Sequence, residues 1–189
     1  MKNPYASRTH EEMKEVLMSP SASGPSIHYY MIRGGTDKTN ITVWESGLVG
    51  GEYIKSYGHY HVGKLEEDYT VIQGQGVLVM QVREKNSRGE YMDDEIKSFR
   101  AIGVKPGDRV HIPSETGHLL LNTGKGWFVT SDNSPVNFSE ENPVGAPGHA
   151  DYEPFRKLRG AAYYVVEKDG KPSLVRNPNY KKVPEARIE

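Results

Sequence analysis

His59 and His61 stand one residue apart. Side chains two positions apart on an extended strand return to the same face, so this pair can grip one object. Carboxylates follow at Glu66, Glu67 and Asp68, where a new apolar run begins. On that strand Glu67, Tyr69 and Val71 share one face and Asp68 and Thr70 the other. Glu67 therefore enters the pocket if Tyr69 lines it, with Asp68 and Glu66 as the alternatives. His118 restarts a strand after Pro113 and a turn at Gly117, and its face also carries Leu120 and Asn122. Three neutral imidazoles and one carboxylate leave a divalent ion with a charge near +1 and about two open positions. Such a centre attracts a developing oxyanion.

The absence of cysteine excludes disulfides, thiolate metal sites and a cysteine nucleophile, leaving His, Asp and Glu as the strong ligands. Of the seven histidines, His10, His28 and His111 have no partner at useful spacing and read as structural or solvated. A net charge of -1 argues against a nucleic-acid surface. No run of about 18 apolar residues and no secretory-type apolar stretch at the N-terminus are present, so neither a membrane nor export is expected and the cytoplasm is the default.

The elements that must position these residues are short strands. Thr9-His10-Glu11-Glu12 reads as a capping box opening one short helix through Met13, Val16 and Leu17, and residues 1–8 are expected to be poorly tied. A Ser/Pro/Gly linker ends the helix at 19–25. Strands are then expected at 27–33, 40–46, 52–57, 67–73, 76–83, 95–102, 108–113, 118–122 and 126–131, with turns at 34–37 and 74–76 and a long solvated loop at 84–94. No helical crossover separates them, which predicts an all-β barrel or jelly roll. A long irregular segment from Asp132 to Tyr152 is placed to cover a site. Asp169-Gly170 is the turn of a closing hairpin between 161–166 and 173–176. At 189 residues the chain suits one core.

The HxH pair, the spaced Glu67, Gly74 and the Pro113…His118…Asn122 stretch resemble the two motifs of the cupins, metal-binding β-barrels with a double-stranded β-helix or jelly-roll topology. Gly58-His59-Tyr60-His61, Lys64-Leu65, Glu67-x-Tyr69, Gly74-x-Gly76, Gly148-His149, Asp151-Tyr152 and Asn177-Pro178-Asn179-Tyr180-Lys181-Lys182 are similar to one branch, the cupin-type phosphoglucose isomerases best known from archaea. The resemblance implies an N-terminal extension over 1–24 and a cupin barrel over 25–189. It implies metal ligands at His59, His61, Glu67 and His118, sugar-phosphate contacts at Thr42, Ser56 and the Gly58 backbone, and a sugar-lining set of Tyr69, His149 and Tyr152. Ser56 stands where the family has threonine. A family tyrosine expected shortly after the strand that follows the second motif has no counterpart in Asp132-Asn133-Ser134-Pro135, and the link from His61 to Glu67 is one residue shorter.

The function so implied is interconversion of glucose 6-phosphate and fructose 6-phosphate, a step of glycolysis and gluconeogenesis, using one divalent metal with Fe(II) foremost and Mn(II), Ni(II) or Zn(II) as alternatives. Glu67 is the expected proton-transfer base, with Tyr69, His149 and Tyr152 assisting. A homodimer is also implied. The alternatives are another metal-dependent cupin enzyme, either an isomerase of a different sugar or an iron-dependent dioxygenase, and a sugar-binding cupin without catalysis.

Overall fold

The computed structural model of the chain describes residues 4–34 and 39–189. Most of the turn expected at 34–37 lies outside them. In chain order come β1 (Tyr5–Thr9), α1 (His10–Met13), β2 (Ile27–Ile32), β3 (Asn40–Trp44), β4 (Leu48–Val49), β5 (Glu52–Tyr53) and β6 (Tyr60–His61). Next are β7 (Glu67–Gln73), β8 (Gly76–Lys85), β9 (Tyr91–Val104), β10 (Arg109–Ile112), β11 (Thr116–Asn122) and β12 (Phe128–Asp132). The chain closes with β13 (Ala150–Asp151), α2 (Glu153–Lys157), β14 (Tyr163–Lys168) and β15 (Lys171–Arg176).

The all-β architecture expected from the strand spacing is the one observed. A six-stranded sheet in the order β1-β2-β3-β12-β7-β10 lies opposite a sheet of β11-β8-β9. Isolated bridges at Lys55↔Leu121 and His59↔His118 add further chain to the free side of β11. Contact between Glu67 of β7 and His118 of β11 shows that the two sheets face one another. Trp44, Phe128, Leu78, Leu120 and Ile112 fill the space between, each no more than 2% exposed. Burying a large apolar side chain of this kind contributes about 1.5–3 kcal/mol. Among the described residues no helix is long and apolar enough to cross a membrane.

Several local expectations hold. Thr9 and Glu12 form the reciprocal capping box. Gly74 turns at φ 78°, and Asp169 and Gly170, at φ 53° and 74°, join β14 to β15. Glycine is required at 74 because an added Cβ would also stand 2.5 Å from the Trp127 carbonyl oxygen.

Others are corrected. Residues 5–8 are not loose: β1 pairs with β2 from Tyr5↔Ile32 to Arg8↔Tyr29. The helix is one α-turn followed by a 3₁₀ turn over Lys14–Val16, and Leu17 is already extended. The 84–94 loop shrinks to 86–90, because Glu84↔Met92 and Lys85↔Tyr91 continue the ladder and Arg83 bonds Asp93 at 2.7 Å. Polar composition concealed a strand whose charges are satisfied across the ladder. The run at 52–57 keeps regular pairing only at Glu52–Tyr53; beyond it the chain leaves β4 to meet β11 at Lys55.

Candidate metal centre

His59 and His118 lie opposite each other on neighbouring extended segments, the His118 amide donating to the His59 carbonyl at 3.0 Å and the His59 amide returning the bond at 3.3 Å. Strand alternation then places His61 on the same face. Their ring centroids are 4.5 Å (His59–His118), 5.1 Å (His59–His61) and 5.0 Å (His61–His118) apart. Glu67, first residue of β7, enters from the facing sheet, with Oε2 3.3 Å from His61 Nε2 and 3.2 Å from His118 Nε2. One ligand atom from each of the four residues falls within 4.8 Å of every other.

The hydrogen bonds around this group select its chemistry. His61 Nδ1 faces the Leu65 carbonyl at 3.2 Å, and His118 Nδ1 faces the Thr116 carbonyl at 3.2 Å. A carbonyl only accepts, so each Nδ1 carries its hydrogen and each Nε2 presents a lone pair inward. His61 Nε2, His118 Nε2 and Glu67 Oε2 are buried and lack a well-directed hydrogen-bond partner. Three buried electron-rich atoms converging on one point repel unless a cation sits among them, so these residues fit a divalent metal.

Electrostatics points the same way. Burial and the neighbouring His118 push the His59 imidazole well below its ordinary pKa, keeping it neutral. Burial opposes ionisation of Glu67, but positive charge at His118 and His61, from a shared proton or from a metal among their lone pairs, outweighs it and holds the carboxyl well below the usual range. Asp68 points outward, its carboxylate 2.9 Å from His111 Nδ1, so Glu67 and not Asp68 reaches the group.

Tyr69, His149 and Tyr152 line a cavity that also contains His59 and Glu67. His149 is delivered by the Val62 amide bonding its carbonyl at 2.8 Å and by β13 pairing with β6, which leaves its ring 5.7 Å from His61. Burial, then His61, lowers its pKa. Burial, then Glu67, raises Tyr69 well above its ordinary value, and burial with Tyr29 pushes Tyr152 up to about 12. Tyr152 packs 5.4 Å from His59, edge-on to Tyr57 at 5.5 Å and beneath the Arg8 guanidinium at 5.6 Å.

Thr42, Ser56 and Gly58 are not on the cavity wall. Thr42 is 4% exposed and accepts from Arg33 Nη1 at 3.2 Å. The Ser56 hydroxyl accepts from the Leu120 amide at 3.0 Å. Gly58 has φ 85°, and a Cβ there would meet the Phe155 ring at 2.6 Å. Sequence reasoning missed Arg33, which lines the cavity and pairs with buried Asp132 at 3.1 Å. One cation at the end of a strand carries no spacing signal. Ser134, in the stretch where the family tyrosine is expected, donates its hydroxyl to Asp132 at 2.6 Å and also lines the cavity.

A family model described as glucose-6-phosphate isomerase matches residues 29–184. The glucose-6-phosphate isomerase of Pyrococcus abyssi is 30% identical over 141 residues, covering 74% of this chain and 62% of that protein. The enzymes of that name from Thermococcus litoralis, 30% identical over 142 residues, and Pyrococcus furiosus, 29% over 143, cover 74% and 75% of this chain and 62% and 63% of their own. The chain thus spans a little under two thirds of the length of these relatives. Among solved structures, the Drosophila melanogaster CENP-C cupin domain is 12% identical over 70% of this chain and 81% of its own, with a TM-score of 0.39. An oxalate decarboxylase-like protein of Thermotoga maritima is 16% identical over 55% of this chain and 76% of its own, with a TM-score of 0.37.

Proposed function

The chain belongs to the glucose-6-phosphate isomerase family, and from that membership we propose that it interconverts glucose 6-phosphate and fructose 6-phosphate at the centre formed by His59, His61, Glu67 and His118. The observation that carries this reading is the convergence of unpartnered Nε2 and Oε2 atoms beside a cavity lined by Tyr69, His149 and Tyr152. A divalent metal held by the four residues, Fe(II) foremost with Mn(II), Ni(II) or Zn(II) as alternatives, would supply Lewis-acid stabilisation of the oxyanion that develops on the sugar.

The remaining work falls to side chains. Glu67 is ionised at neutral pH and stands at the edge of the cavity, so it takes the proton from C2 of the open-chain aldose and returns it to C1, while the O2 hydroxyl proton passes to O1. His149 is neutral at the same pH and accepts the hydroxyl proton whose removal opens the sugar ring. Tyr69 and Tyr152 stay protonated, donate to sugar oxygens and exclude water. Thr42 reaches the cavity only through the bond that it accepts from Arg33, and Ser56 and Gly58 stand away from its wall.

The test is a coupled assay with fructose 6-phosphate before and after chelation, with single metals restored. Activity that survives complete chelation sinks the metal role. Solvent deuterium appearing on carbon when the reaction runs in D₂O supports Glu67 as base; direct transfer of the substrate hydrogen, with none from solvent, removes that role.

The proposed setting is the cytoplasm and the proposed assembly a homodimer. Tyr30, Ile32, Ile41, Val43, Val129 and Ile72 alternate away from the core on the outer side of the six-stranded sheet, a face that pairing would cover. Light scattering at micromolar concentration checks the mass.

A further inference from the structure

We propose that Arg33 is the cation that recognises the phosphate group of the substrate and so sets the preference for a phosphorylated over a free sugar. The inference rests on the isomerase reading and deepens it.

The substrate phosphate carries close to two negative charges at neutral pH, and three strong acceptor oxygens. A pocket that discriminates for it needs a fixed donor of positive charge. Among the described residues, Arg33 is the one Lys or Arg side chain that lines the cavity holding His59 and Glu67. Its side chain is 16% exposed, buried enough to strengthen its field and open enough to be reached.

Arg33 is also held in place. Nη1 donates to Asp132 Oδ2 at 3.1 Å and to Thr42 Oγ1 at 3.2 Å. Asp132 is itself fixed through Oδ1, which accepts from Asn40 Nδ2 and from the Ser134 hydroxyl, each at 2.6 Å. Both of these Arg33 bonds use a single nitrogen, whereas a guanidinium presents five N–H donors in a planar fork suited to phosphate oxygens. Thr42 accepts from Arg33 and so helps to fix the guanidinium. The bridge from Arg33 to Thr42 thus connects the cavity wall to a residue that does not itself line it. Asp132 neutralises one charge, and a divalent ion bound beside Glu67 leaves the whole cavity positive, as a dianionic substrate requires.

The bland alternative is that Arg33 serves only as counter-ion to Asp132. Two variants separate the readings: Arg33→Gln, and Arg33→Gln combined with Asp132→Asn, which removes the ion pair together and leaves no buried charge unpaired. Each is compared with the wild-type, metal-loaded protein by titration calorimetry with 6-phosphogluconate and with gluconate, which differ by the phosphate alone and do not isomerise. The expected result is a wild-type preference for 6-phosphogluconate that falls about 10–100-fold in both variants while gluconate binding is unchanged. In the assay, KM for fructose 6-phosphate rises by a similar factor with kcat nearly constant. Arg33→Lys restores part of both. A preference retained in the folded double variant, or wild-type protein that binds both acids alike, overturns the proposal. Wild-type protein that fails to isomerise yet shows the Arg33-dependent preference removes the reaction and leaves the phosphate site standing.

Discussion

His59 and His118 exchange both backbone hydrogen bonds across an isolated antiparallel bridge, with their rings 4.5 Å apart on the same face. Directly opposed strand residues have a fixed separation, so this bridge sets half of the candidate metal centre's geometry by backbone pairing alone. Glu67 has to be brought up from the other sheet.

Removing a ligand should therefore uncouple metal from fold in a graded way. His118→Ala is expected to lose bound metal, measured by elemental analysis, while remaining folded, because its backbone bridge to His59 persists. Metal added to the wild-type apoprotein should stabilise it by linkage, by about 2.7 kcal/mol at a hundredfold excess over Kd, seen as a higher Tm, and should leave the Tm of His118→Ala unmoved. An equal metal-induced shift in both proteins would place the ion elsewhere.

Gly58→Ala should destabilise the chain by about 1–3 kcal/mol in urea unfolding, from positive φ and from overlap with Phe155 together. The added methyl would stand 2.6 Å from the Phe155 ring at φ 85°. Combining it with Phe155→Leu should relieve the overlap and leave the φ strain, so recovery is partial. A neutral Gly58→Ala would contradict the close packing of α2 on this turn.

The buried Lys55–Glu52 pair, 2% and 0% exposed in its side chains, also binds the Val16 carbonyl and the Met18 amide. Glu52→Gln alone leaves a buried ammonium without its counter-ion and is expected to cost about 3–5 kcal/mol. The double replacement Lys55→Met with Glu52→Leu should cost less than the single change. A double variant weaker than Glu52→Gln would show that the pair itself, and not the orphaned charge, sets stability.

Acid should weaken the fold through His28. Its Nε2 stands 2.9 Å from His10 Nδ1, and the His10 Nε2 faces the Ala22 carbonyl, so His10 Nδ1 accepts and His28 donates. Burial, His10 and Lys55 push His28 down to about 4 from an ordinary 6.5. Between these values the unfolded chain binds the proton and the folded chain does not. Stability from this group is fully present above pH 6.5 and is lost as pH falls toward 4, by about 3 kcal/mol in total. Urea midpoints between pH 7 and 4.5 should fall more steeply for wild type than for His28→Asn; parallel slopes would remove His28 as the cause.

Local rules carried much of this protein. Period-two alternation placed His59 with His61 and Glu67 with Tyr69, Gly74 and Asp169-Gly170 marked turns, and the Thr9–Glu12 box opened a helix, because each depends on neighbours a few residues away. Tertiary structure decided the rest. The expected strand at 118–122 begins at Thr116, and the expected loop at 84–94 is largely ladder, because pairing with a distant strand satisfies polar residues that look solvated in isolation. Arg33 and Asp132 are separated by 99 residues, and no local pattern brings them together. They meet because β3 pairs on one side with β2, at whose end Arg33 stands, and on the other with β12, a register chosen by burial of the whole apolar face. Ser56 likewise looked available, yet its hydroxyl is bonded to the Leu120 amide. The residue types at the candidate metal centre were legible along the chain, whereas which side chains stand around them depended on two sheets closing on each other.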